Sequence, residues 1–185
     1  MEKSNWGQIQ GTLANCLLAA GIIIMFITAS KVKTTLDVAM IFASTITLFY
    51  FWWGYIFLAQ NGMGSRKITD YLYDFVVILL LTNLFYIVGL DIKTNGIIWL
   101  SNYLMLFMAT ILKYVFLLKS ELYKDKKIFL RKKIKTDLTA SIWITLFIIL
   151  AVLLKLELTA VWGIFFMELV HIIYAGSFTK FYESV

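Results

Sequence analysis

The chain alternates between long apolar runs and short polar breaks. Six runs are nearly free of charge, at residues 12–30, 37–58, 71–90, 96–118, 138–155 and 158–177. A helix needs about 20 apolar residues to cross about 30 Å of hydrocarbon, and each run approaches or reaches that length. The runs are continuous, not alternating, so they read as helices and exclude a β-barrel. The expected fold is all-α: a polytopic integral membrane protein of six transmembrane helices. Residues 1–185 form a single domain, since the spans leave no room for a soluble one. The fifth and sixth runs are separated only by Glu157 and its neighbours, which predicts a tight hairpin.

Two local readings follow. The N-terminal MEKSNWGQIQ lacks the pattern of a cleaved signal peptide, so the first span is expected to be retained. Gly11, Asn15 and Ala19 recur every four residues, a small-residue stripe suited to close helix contact.

Composition rules out the alternatives to a membrane protein. The chain is 61% hydrophobic and 15% charged, with a mean hydropathy of +0.84. A soluble domain of this size carries about 25% charge and could not hide the surplus. One Cys excludes an internal disulfide, and the lack of Pro argues for unbroken helices. The broken helices of many secondary transporters lack their usual cue here.

Charge sets the expected orientation. Twelve Lys and Arg fall on one set of connections and four on the other, with Lys113 inside a span. The positive-inside rule then places both termini and the basic connection 119–137 in the cytoplasm. A plasma membrane location is expected. Lys124, Lys126, Lys127, Arg131, Lys132 and Lys133 are read as a surface for anionic headgroups. A docking site for an acidic partner competes with that reading, and nucleic acid is not expected.

Candidate chemistry comes from ionisable groups at membrane depth, which are costly and suggest function. Glu168 lies about 13 Å in from the cytoplasmic end of the sixth span at 1.5 Å per residue. His171 is three residues on and shares its face. Lys113 and Asp74 lie nearer the same surface. Asn102 lines up with Lys113, and Thr47 and Tyr50 stand on a small, polar stripe of span two. Glu168 is open to three roles: a cation- or proton-binding carboxylate tuned by His171, a structural partner of Lys113, or a protonated hydrogen-bonding group. Lys113 alternatively snorkels to the headgroups. Trp52, Trp53, Tyr55, Tyr123, Trp99 and Trp162 are read as interfacial belts.

One His and one ExxH spacing are too few for a metal site in one chain, and no cofactor is expected. No nucleophile elbow or phosphate loop is present. The leading expectation is a small channel or compact transporter for an ion or solute, binding at Glu168, His171, Lys113, Asp74, Asn102, Thr47 and Tyr50. It is expected to work as a homo-oligomer or with a partner subunit. One alternative is a non-catalytic membrane subunit or effector. Another, less favoured, is an intramembrane enzyme acting on a lipid, with Glu168 and His171 as acid and base.

Overall fold

The computed structural model describes residues 2–60, 68–90 and 95–183. Six α-helices follow in order: α1 Glu2–Ala29, α2 Thr35–Gln60, α3 Ile68–Val88, α4 Asn95–Lys119, α5 Lys127–Leu154 and α6 Glu157–Glu183. A short 3-10 turn, Glu121–Lys126, joins α4 to α5. Among the described residues, four segments are long and apolar enough to cross a bilayer: Thr35–Leu58, Asn95–Lys119, Lys127–Leu154 and Glu157–Tyr174. The apolar parts of α1 and α3, Ala14–Ala29 and Leu72–Val88, are shorter. This is the make-up of a membrane protein.

Local chemistry sets the helix ends. At the start of α2, the Asp37 carboxylate accepts the Lys33 and Thr34 amides at 3.0 and 2.8 Å. The Asp37 amide in turn donates to Thr34 Oγ1 at 3.2 Å. This is a capping box with Asp in the Glu position. Helix α5 ends at Lys155, whose φ of 57° is left-handed. Helix α6 begins two residues later, so the hairpin is tight.

Helices α2, α6, α5, α4 and α3 form a ring in that order, and α1 packs outside against α2 and α3. The backbones of α2 and α4 barely approach across the middle. Long side chains fill that gap: Met40, Trp99, Tyr103 and Phe107 are almost fully buried. A second apolar cluster of Phe57, Leu58, Tyr114, Leu117, Tyr123, Phe129 and Leu130 closes the end of the ring that carries the α4–α5 turn. We call this the basic end.

Three expectations change. Segment 119–137 is not a loop: from Lys127 on it is the first part of α5. Its charges do not break the helix because Lys and Arg are good helix formers. The α1 stripe is also different. Ala19 is exposed, Asn15 accepts from Trp52 Nε1 at 3.2 Å, and Gly11 lies outside the residues whose burial is described; Ala14, Leu17, Gly21 and Thr28 are the α1 residues that turn to the bundle. A Cβ at Gly21 would stand 2.4 Å from Leu48 Cδ2, so only a missing side chain lets α1 come this close. Trp99, Tyr55 and Tyr123 do not lie in belts; all three are buried. Trp99 and Tyr55 find polar partners inside the ring.

Candidate functional site

The inner face of α2 carries a polar stripe. Asp37, Ser44, Thr47, Tyr50 and Tyr55 recur at roughly helical spacing over about 27 Å of helix. Each bonds a residue of another helix: the first three reach α4, Tyr50 reaches α6 and Tyr55 reaches α3. Asn95 Nδ2 donates to Asp37 Oδ1 at 3.3 Å. Trp99 Nε1 donates to Ser44 Oγ at 3.0 Å. Thr47 Oγ1 lies 2.9 Å from Tyr103 Oη. Tyr50 Oη lies 3.1 Å from His171 Nε2, and Tyr55 Oη donates to Asp74 Oδ1 at 2.8 Å. A polar line thus runs nearly the thickness of a bilayer core through an otherwise apolar bundle.

Midway along this line sits Glu168, which is fully buried. Its Oε1 bonds the Tyr103 hydroxyl. Its Oε2 has no hydrogen-bond partner among the described residues. Thr47 Oγ1 is also 2.8 Å from the carbonyl of Ala43. The protons in this chain can be counted. With Glu168 ionised, Tyr103 donates to Glu168 and Thr47 donates to Tyr103. With Glu168 protonated, it donates to Tyr103, Tyr103 to Thr47, and Thr47 to the Ala43 carbonyl. Both arrangements satisfy every hydroxyl, and one proton on Glu168 reverses the whole row.

Toward the basic end the line meets two ion pairs. Lys133 donates to Asp137 Oδ1 at 2.7 Å and also bonds the Tyr50 hydroxyl. Its ammonium lies 4.6 Å from the Tyr50 ring centre. Asp137 is buried, with Thr110 Oγ1 at 3.4 Å and His171 Nε2 at 3.7 Å. On the other side, Lys113 pairs with Asp74 and lies 4.8 Å from the Tyr55 ring centre. Between the two pairs is a cavity of about 80 Å³, walled by Tyr50, Tyr55, Tyr114, Thr110 and His171. Each Lys–Asp pair is neutral when both partners are charged. Glu168 and His171 are then the buried groups whose protonation changes the net charge of the site.

Stacked rings pack the middle of the bundle around Glu168. Trp99 stacks on Tyr103 at 5.0 Å between centres, and Tyr103 on Phe107 at 5.4 Å. Phe107 reaches His171 at 6.0 Å. The cavity therefore lies on the basic-end side of Glu168, beneath the apolar cluster that closes that end.

Glu168, His171, Lys113, Asp74, Thr47 and Tyr50 converge on this interior. Asn102 does not. Its Oδ1 accepts from Asn83 and its Nδ2 donates to the Leu80 carbonyl, each at 2.8 Å, so it clasps α4 to α3. Lys113 pairs with Asp74 and neither pairs with Glu168 nor snorkels. Of the expected surface group, Lys124, Arg131 and Lys132 are exposed, while Lys126 and Lys127 are half-buried. Lys133 instead turns inward, because helix α5 already runs through it and points it at Asp137 one turn on.

Tyr103, Asp137 and Thr110 were not singled out by sequence reasoning, and Tyr55 was read only as part of an interfacial belt. The four-residue spacing of Lys133 and Asp137 is the signal that could have revealed one pair. The two residues of the ExxH spacing part company: Glu168 goes to Tyr103 and His171 to Tyr50. Among the described residues, no three His, Cys, Asp or Glu side chains converge as a metal site.

No family model matches this chain, and no curated protein or solved structure is significantly similar to it. The reading of the site rests on its geometry.

Proposed function

We propose that the chain is a six-span membrane protein that moves a small ion or solute, with proton transfer at Glu168 coupled to the movement. The observation that carries this reading is the reversible hydroxyl row from Ala43 through Thr47 and Tyr103 to Glu168, set beside a cavity between two ion pairs. Glu168 is a fully buried carboxyl held by one hydroxyl, and an ionisable group at that depth is costly unless its protonation is used. The cavity and its two ion pairs would hold the solute, and His171 would link Tyr50 to Asp137 as the charge changes.

In this reading α1 and α3 also cross the bilayer. Both termini and the basic end face the cytoplasm, by the excess of Lys and Arg there. The membrane is the plasma membrane, and the chain works as an oligomer or beside a partner subunit.

The test is reconstitution into liposomes loaded with a pH-sensitive dye. Wild-type protein is expected to carry protons down an imposed gradient, and Glu168→Gln to lose at least tenfold of that flux. Equal flux in both would remove Glu168 from the mechanism.

A further inference from the structure

The outer side of the α5–α6 pair carries a separate feature. A groove of about 740 Å³ runs between the two helices. Gly163 lies in it, where a Cβ would stand 2.4 Å from the Phe147 ring. The groove is shaped in part by that missing side chain. Trp143, Phe166 and Val170 line it and are each more than half exposed. At its basic end stand Lys132 and Lys135, both exposed. The groove is thus apolar along its length and cationic at one end.

The dimensions fit one kind of occupant. From Lys135 to Phe147 the helix rises about 18 Å, and one leaflet of hydrocarbon is about 15 Å deep. Two lysines at the headgroup level attract anionic lipid. A second copy of the chain would bring the same lysines to this end and meet like charge. We infer that the α5–α6 groove is a binding site for an anionic phospholipid. Its phosphate lies at Lys132 and Lys135, and one acyl chain runs along Trp143, Phe166 and Val170.

This site touches the interior. Lys132, Thr136, His171 and Tyr174 line both the groove and the inner cavity. The lipid headgroup therefore sits where groove and cavity share a wall, with Tyr50 and Asp137 lining the cavity's side of it. Binding of the lipid does not depend on the transport reading and goes beyond it.

The experiment uses the full chain, released from micelles holding equal phosphatidylglycerol and phosphatidylcholine and weighed intact with retained lipid. Wild-type protein is expected to keep phosphatidylglycerol over phosphatidylcholine by about tenfold. Lys132→Gln with Lys135→Gln is expected to erase that preference. Val170→Trp, at an exposed position, fills the groove and is expected to lose both lipids. Equal retention of the two lipids by the wild type would overturn the inference. So would a preference that survives both variants, or a two-chain species that Val170→Trp splits. Lipid preference that persists while proton flux is absent would sink the transport reading and leave this site standing.

Discussion

Tyr103 joins α4 to α6 through Glu168, and its hydroxyl is at the same time 2.9 Å from Thr47 on α2. One phenol thus ties three helices together at the centre of the ring. Tyr103→Phe keeps the ring stack and removes the bond. It leaves Glu168 without its remaining partner and is expected to cost about 2 kcal/mol of stability. Flux is expected to fall to the Glu168→Gln level. Thermal unfolding in detergent and the dye assay read the two effects separately. A Tyr103→Phe protein that keeps full flux would break the hydroxyl row as a route.

Lys133 and Asp137 should show strong coupling. Removing one partner leaves a charge inside the ring, so Lys133→Met or Asp137→Asn is expected to cost about 3 kcal/mol. Replacing both by apolar residues is expected to recover most of that loss. A double-mutant cycle by denaturation measures the difference. Additive losses would mean that the pair is not a unit.

Gly21 sets how closely α1 docks. Gly21→Ala drives a methyl into Leu48 and is expected to destabilise by about 2 kcal/mol. Leu48→Ala in the same chain makes room and is expected to relieve part of the strain. If Gly21→Ala alone is neutral, α1 has freedom to shift away from α2.

Lys155 holds a left-handed conformation at the end of α5 that glycine adopts without strain. Lys155→Gly is expected to stabilise the hairpin by about 1 kcal/mol. A rise in the thermal midpoint checks it. A fall would show that the lysine side chain contributes more than its backbone costs.

Orientation has a direct check. In a Cys16→Ala background, cysteines at Lys124 and Arg131 are expected to react with an impermeant reagent from the cytoplasmic side only. A cysteine at Lys33, at the other end of α2, is expected to react from outside. The reverse pattern would place the cavity and the two ion pairs in the outer half of the bilayer.

The class of fold was legible because hydrophobic length is a one-dimensional property. Residues 37–58 and 96–118 predicted α2 and α4 closely. Which face of each helix turns inward was much less legible. Lipid is as apolar as a protein core, so Leu72 and Leu79, both exposed, resemble Leu81 and Leu84, both buried. Glu168, His171, Asp74 and Lys113 stood out because charge is rare at that depth. Tyr103 and Trp99 did not, since an aromatic ring in a span looks the same in a belt and in a core. Lys133 and Asp137 were hidden for the opposite reason. Surrounded by other charges, they read as a solvated connection, and the helix that joins them begins within that run.

The ring stack described above has one more implication. Tyr103 is the middle plate of the Trp99–Tyr103–Phe107 column packed in the middle of the bundle. If that column swings aside, the same rotation pulls the hydroxyl off Glu168. The stacked ring and the hydroxyl on Glu168 belong to one side chain, so the packing of the column and the bond to the carboxylate stand or fall together.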